Sequence, residues 1–405
     1  MIADVVKLIF DGISIGSVLM LAALGLSIVF GLMGVINLAH GELIMLGAYT
    51  TYVVQESGAQ LGDQWSNIYI FVALPVAFLV TALVGWGLEW GVVRHLYGRP
   101  LETLLATWGV SLILRQFVRS VSWVLLINIF CFCLFYFGGQ KLVQPRLASQ
   151  RLRYIARLVI LALSISITST LGTLLGQSEQ RSLLDPWFGS RNLDVTAPKW
   201  LQGGLSAKDL PQNLSSVKEW LTSLGLENFQ LPSGRLFIIA LTGLCIVLMY
   251  WFLNRSNWGL RIRAVTENRD MSACLGIPTR RVDALTFALG SGLAGIAGCA
   301  ITLIGSVGPN MGGNYIVDAF MVVVVGGVGN IVGSIVAAIA IGISNYIISV
   351  GLLIPVFEFS SSISDFFDFF ATPSMAKVIV FALIIIFLQI RPAGIFPKKG
   401  RAVEV

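Results

Sequence analysis

The stretch Gly234-Arg-Leu-Phe-Ile-Ile-Ala-Leu-Thr-Gly-Leu-Cys-Ile-Val-Leu-Met-Tyr-Trp-Phe-Leu253 carries a single charge, Arg235. Its length matches the ~20 residues that span hydrocarbon as a helix. Comparable runs stand at Ile68–Val93, Ala284–Ile304, Gly333–Ile354 and, shorter, Lys377–Ile390. All are continuous rather than alternating, so they predict helices and not barrel strands. Composition agrees. Apolar residues make up 56% of the 405 and charged residues only 12%, about half the ~25% that wets a soluble domain. The mean hydropathy is +0.83. The expected fold is an all-α polytopic membrane protein, a helix bundle of about 8–11 spans with broken or re-entrant helices.

Ile13–Phe30 does not read as a cleavable signal peptide. Asp4, Lys7 and Asp11 precede it without basic excess, and it runs straight into another apolar stretch. Ile13–Phe30 and Leu32–Val54 are either two spans, or one span plus a broken helix. The five cysteines (131, 133, 245, 274 and 299) show neither metal-ligand nor disulfide spacing and read as buried small hydrophobes. The net charge of +6 is distributed in short clusters between apolar runs, which fits topology determinants and not a nucleic-acid surface.

The basic clusters mark cytoplasmic loops: Lys141 with Arg146, Arg151, Arg153 and Arg157; Arg255 through Arg281; the tail at Arg391, Lys398, Lys399 and Arg401; and the pair Arg94 and Arg99. The polar loop from Gln177 to Ser233 has balanced charge and reads as external, as does Pro355–Ser374. Asn213-Leu-Ser215 fits a glycosylation sequon, which has meaning only in a eukaryotic host. Threading gives Leu101–Ser120 outward, Val121–Gly138 inward, Tyr154–Leu175 outward, Gly234–Leu253 inward and Ala284–Ile304 outward. Met375–Ile390 must then run inward, so an even number of crossings lies between Ser306 and Pro355. The glycine-interrupted starts at Gly31-Leu-Met-Gly-Val-Ile-Asn37 and Gly326-Gly-Val-Gly-Asn-Ile331 form a faint internal echo, of a kind seen in transporters.

Several chemistries lack their residues. No Gly-Lys-Ser/Thr triplet supports a Walker A nucleotide site. With only His40 and His95 there is no zinc-protease motif and little for a metal. Gly12-Ile-Ser-Ile-Gly16 matches Gly-x-Ser-x-Gly but lies in an apolar helical run, not on a strand-to-helix turn. No catalytic residue, metal site or cofactor is expected in this chain. A stand-alone channel or secondary transporter would need intramembrane charges, and the spans show few beyond Glu89, Arg115 and Arg119.

Three polar or small-residue features remain. Asn37, His40 and Glu42 interrupt an apolar run. Polar groups at membrane depth face a cavity or a partner helix, and Asn37 and His40 share a face if the segment is helical. The plainer reading is a turn between spans with Glu42 capping the next helix. The second feature is Trp258–Arg281. Thr266-Glu267-Asn268 can cap a short helix, which Gly276 and Pro278 end; the result is a two-turn cytoplasmic helix, Glu267–Gly276, suited to docking a soluble partner. The third is small-residue spacing at Gly12/Gly16, Ser291/Gly295, Ala294/Gly298 and Gly329/Gly333. Such pairs allow close helix packing within a subunit or across a dimer.

Together these segments resemble the permeases of branched-chain amino acid and urea ABC importers. Gly25–Tyr49 is similar to their opening segment, and Arg263–Ile277 to the coupling segment that docks the ATPase. Ser291–Gly298 and Val325–Ser334 are similar to later motifs. Glu102–Leu114 and the Asn37–Met45 context look closest to the urea branch. The resemblance implies a bacterial plasma-membrane permease subunit for urea, with a branched-chain or neutral amino acid as the rival substrate. It implies a second permease, two cytoplasmic ATPases that use ATP, and an extracytoplasmic solute-binding protein. Asn37, His40 and Glu42 are the candidates for the substrate path; Glu267, Asn268, Arg269 and Gly276 are the candidates for coupling. The resemblance covers Met1–Ser120 and Arg191–Val405. The expected parts are therefore a transmembrane part at 1–120, an inserted apolar hairpin with a basic loop at 121–190, an external loop at 191–233, and a transmembrane part at 234–405 with the coupling segment at 255–283.

Overall fold

A computed structural model describes residues 2–59, 62–143, 150–177, 185–206, 230–351 and 372–396. Asn213, Arg146, the expected external loop within 352–371, and the tail residues Lys398, Lys399 and Arg401 lie outside these. The helices are α1 (Ile2–Ile28), α2 (His40–Ser57), α3 (Asp63–Gly91), α4 (Pro100–Ser120), α5 (Trp123–Val143), α6 (Gln150–Gln177), α7 (Ser233–Arg255), α8 (Asn257–Glu267), α9 (Arg269–Cys274), α10 (Thr279–Ile301), α11 (Met311–Gly326), α12 (Ile331–Ser349) and α13 (Pro373–Ile390). A small antiparallel pair, β1 (Gly204–Ser206) and β2 (Gln230–Pro232), precedes α7. Among the described residues seven helices are long and apolar enough to cross a membrane, and α11 and α13 are shorter apolar helices. The protein is an all-α, multi-pass membrane protein.

The chain forms two compact units, Met1–Leu112 with Asn192–Val405, and Ile113–Arg191. The first is organised around α1 and α10, the most enclosed of the long helices, at 83% and 78% buried. Their small residues explain this. A Cβ on Gly298 would strike the Ile44 carbonyl, one on Gly295 the Thr81 hydroxyl, and one on Gly25 the Gly290 carbonyl. On α1, Gly12 and Gly16 meet Ile343 and Ala338 of α12. Gly12 and Gly16, and the glycines of the pairs Ser291/Gly295 and Ala294/Gly298, thus pack helices against each other within this chain, where dispersion rather than water expulsion holds them.

Leu32–Val54 is not one span. The last turn of α1 widens into a π-helical turn at Val29–Met33, Gly34 takes φ +68°, and α2 starts only at His40. A second break follows α11, where Gly327 and Gly329 have φ of +101° and +81° and Asn330 caps α12 by accepting from the Gly333 amide at 3.2 Å. These are the two stretches of the sequence echo, and they touch: a Cβ on Gly31 would strike the Gly329 backbone.

One end of this unit collects the loop after Asn192. Gln55 Nε2 donates to Thr196 O at 3.0 Å, Trp200 Nε1 donates to Asn67 O at 2.9 Å, and Leu193 bridges Val307. Arg235, near the start of α7, pairs with Asp11 of α1. The other end collects Arg94, Tyr97, α8 and α9. From Asp11 onward, α1 therefore runs toward the basic end.

The second unit contains the end of α4 and the α5–α6 hairpin. Expected from Val121 to Ser190, it spans Ile113–Arg191 as a compact unit. Its ends meet: Trp187 N donates to Val121 O at 2.9 Å, and the Trp123 and Trp187 rings lie edge-to-face at 4.9 Å. Phe130 and Phe137 are exposed, as lipid-facing residues are.

Candidate functional site

The first cluster is built on the break between α1 and α2. Asn37 Oδ1 accepts from Ala39 N at 3.1 Å, an Asx turn that aims the chain into α2. Thr107 of α4 pins the same turn, accepting from Leu38 N at 3.1 Å and donating to Ile36 O at 3.4 Å. His40 is fully buried and its Nε2 lies 3.0 Å from Ala22 O, so Nε2 carries the proton. Among the described residues Asn37 Nδ2 and His40 Nδ1 have no hydrogen-bond partner. Buried polar atoms are nearly always satisfied, which marks these two as capable of meeting a ligand. Glu42, 1% exposed, accepts from Ser111 Oγ at 3.1 Å.

The first turns of α2 and α11 press together here. A Cβ on Gly41 would strike the Gly312 carbonyl, and one on Gly312 would lie 2.7 Å from Glu42 Oε2. Glu42 therefore sits beside two helix N-termini, whose free amides and positive dipole ends favour a carboxylate. The crevice lined by Asn37, Thr107 and Phe287 holds no room for water.

Of the two readings of this stretch, the turn between helices is the one found: Asn37 precedes α2 in non-helical backbone, so it does not share a helix face with His40. Glu42 lies in the first turn of α2 with Ala39 at the cap position and no side-chain cap.

Intramembrane charges are also more numerous than the sequence suggests. Asp318 of α11 pairs with Lys377 of α13 at 2.8 Å, and Asp11 pairs with Arg235. Each ion offsets part of its partner's desolvation. Lys377 stands visibly in an apolar run; its partner lies on a helix that sequence alone does not place beside it.

The second cluster lies at the basic end. Ser256 Oγ caps α8 by accepting from Gly259 N at 2.9 Å, and Asn268 Oδ1 caps α9 by accepting from Met271 N at 2.9 Å. Gly276, at φ +80°, closes the segment. The expected helix Glu267–Gly276 is therefore shorter and starts later. Glu267 is the last residue of α8, because the Asn268 side chain claims the Met271 amide in the first turn of α9. Arg269 ties α9 to the bundle: it donates to Asp283 at 2.6 Å and lies 4.7 Å over the Tyr97 ring. Next to it, Arg94 pairs with Glu89 at 3.0 Å, and both pairs line a cavity of about 430 Å³. The hydrogen bond that Arg94 donates to Glu89 holds its guanidinium above the ordinary pKa, and burial pushes the Tyr97 phenol well above its own. Met271 and Leu275 are exposed at 59% and 75% on the outer side. Among the described residues no three His, Cys, Asp or Glu side chains gather into a metal site.

Comparison with known proteins gives one consistent direction. Residues 8–125 and 191–388 match the family described as branched-chain amino acid transport system, permease component. The interval between them falls on the α5–α6 hairpin. The high-affinity branched-chain amino acid transport system permease protein LivH of Salmonella typhimurium is 24% identical over 96% of this chain and 94% of its own. The corresponding permease BraD of Pseudomonas aeruginosa is 23% identical, again over 96% and 94%. The fructose import permease FrcC of Rhizobium meliloti is 25% identical over only 34% of this chain and 39% of its own. No solved structure matches at a significant level.

Proposed function

This chain belongs to the permease family of branched-chain amino acid transport systems, and from that premise we propose that it is the membrane-spanning permease of an ATP-driven importer for a branched-chain or similar neutral amino acid. The observation that carries this is the match along nearly the whole chain to permeases named for such amino acids. Those relatives favour the amino acid over urea, the substrate suggested by the sequence motifs around Asn37 and Glu102.

The chemistry of the break agrees. Urea is neutral and is met by hydrogen-bonding groups alone. A zwitterionic amino acid presents an ammonium, and Glu42 offers a buried carboxylate for it. Asn37 Nδ2 and His40 Nδ1 supply a donor and an acceptor beside it. The ion pairs Asp11–Arg235 and Asp318–Lys377 do not argue for ion-driven transport, since each carboxylate already has its cation.

The motor lies on other chains. In this reading one of two ATPases docks on α8–α9 at the cytoplasmic face of a bacterial plasma membrane, against exposed Met271 and Leu275. Arg269 carries their movement into α10 through Asp283 and toward α3 through Tyr97. A second permease completes the membrane part, and a solute-binding protein delivers substrate outside. The positive-inside rule supports this orientation. The reading is tested by expressing the chain with its neighbouring ATPase and binding-protein genes in cells lacking branched-chain uptake. ATP-dependent leucine accumulation is expected; none, with normal membrane levels, would overturn it.

A further inference from the structure

We propose that the groove between α3, α8 and α10 is a binding site for the headgroup of an anionic phospholipid of the cytoplasmic leaflet. The inference rests on the orientation given under the proposed function, with α8 and α9 inside. The groove is an open one of about 570 Å³. Its two walls differ in chemistry, as a lipid's two ends do. Trp86 and Trp90, four residues apart on α3, form one stripe, and Arg94, in the short 3-10 turn beyond the helix, lines the same groove at the basic end. Trp86 and Trp90 are 53% and 63% exposed. Trp258 faces them from α8, and Ala284 and Ala288 of α10 make a small-residue floor on which an acyl chain can lie. Tryptophan belongs at headgroup level, its ring apolar and its indole N–H a donor.

The upper rim is cationic. Arg94, Arg280 and Arg281 all line it, and Arg261 stacks on Trp258 at 5.1 Å. The acidic groups nearby are already engaged: Glu89 by Arg94 and Asp283 by Arg269. Among the described residues no carboxylate pairs with Arg280 or Arg281, and both are exposed. Two unpaired guanidiniums above an aromatic and apolar trough complement a phosphodiester carried on acyl chains. Basic pockets between helices on the cytoplasmic side are suited to such headgroups, and the guanidinium fork binds a phosphate through two parallel bonds.

The site also adjoins the Arg269–Asp283 pair, because Arg280 lines both this groove and the polar cavity beside that pair. A bound headgroup would therefore brace the root of α10, where α9 is anchored.

The test uses the full-length protein, purified in mild detergent from membranes containing phosphatidylglycerol and phosphatidylethanolamine, with retained lipid read by native mass spectrometry. The expected result is selective retention of phosphatidylglycerol. In R280Q/R281Q it falls about fivefold to thirtyfold, the scale of two basic contacts at an anionic surface. The separate variant W90L is expected to weaken retention with all charges in place. R151Q/R153Q, on α6, is expected to retain lipid as the parent does. Equal retention of both lipids, or no change in R280Q/R281Q, would overturn the inference. So would loss of ATPase co-purification in that variant with lipid unchanged, which would make the groove a protein-docking surface. Membrane-impermeant labelling of Cys274 separates the two levels. Labelling from outside would overturn the orientation and this inference together; labelling only from inside, with no selective retention, would overturn this inference alone.

Discussion

Arg269 donates to Asp283 at 2.6 Å, joining a six-residue helix outside the bundle to the second turn of its central helix. The Asp283 side chain is 4% exposed and the Arg269 side chain 44%. The pair therefore lies between a surface bridge and a buried one. Its loss costs about 1–2 kcal/mol, below the 3–5 of a fully buried pair. D283N is expected to insert normally and to lower ATP-driven uptake about 5–150-fold, the range of a coupling energy between sites. Substrate affinity measured without ATP should not move. Unchanged uptake would show that α9 is not anchored through this pair.

The cap of α9 gives a milder variant. N268A removes the side chain that accepts from Met271 N and costs the short helix about 1 kcal/mol. Uptake should fall while N268D, which keeps the acceptor, restores it. Paired transport assays on the two variants check this.

At the break, E42Q keeps the shape and removes the charge beside the first turns of α2 and α11. If Glu42 meets the ammonium of an amino acid, the lost charge-assisted bond is worth about 1.5–3 kcal/mol. Apparent affinity for leucine should weaken about tenfold or more, with less change at N37D or H40Q. A transport titration on the three variants ranks them.

The glycines of the central packing predict a folding defect of a different kind. G298V places its side chain against the Ile44 carbonyl, a backbone atom that cannot swing away. Overpacking of this sort costs about 1–3 kcal/mol. The variant should show a lower membrane yield and a lower melting temperature, whereas G243V, where added atoms meet open space, should match the parent.

The hairpin is expected to be dispensable. Because Trp187 N bonds to Val121 O, joining Ser122 directly to Trp187 removes α5 and α6 with little rearrangement at the junction. Uptake should persist at normal membrane levels. Its abolition at those levels would give the hairpin a role in transport.

The bundle was legible in the sequence because a lipid-spanning helix needs a long apolar run, and α3, α7 and α10 announce themselves by it. The basic end was legible through Arg94 and the Arg255–Arg281 cluster. The limits of α9 were not, because three consecutive residues, Thr266, Glu267 and Asn268, all suit a cap and only the Asn268 bond to Met271 decides among them. Asn37 suits either a helix face or a turn, and only the π-helical turn at Val29–Met33, which ends α1 late, decides for the turn. The pair Asp11–Arg235 joins residues 224 apart in the chain, beyond anything spacing can show. The unpartnered atoms of Asn37 and His40 are a tertiary fact as well, visible only once α1 and α4 surround them.

The most direct test of the central reading is uptake of labelled leucine and labelled urea, side by side, in proteoliposomes containing this chain, its partner subunits and the binding protein. ATP-dependent leucine accumulation that unlabelled valine or isoleucine competes away, with no urea accumulation, is the predicted result. Urea accumulation without leucine uptake would contradict it.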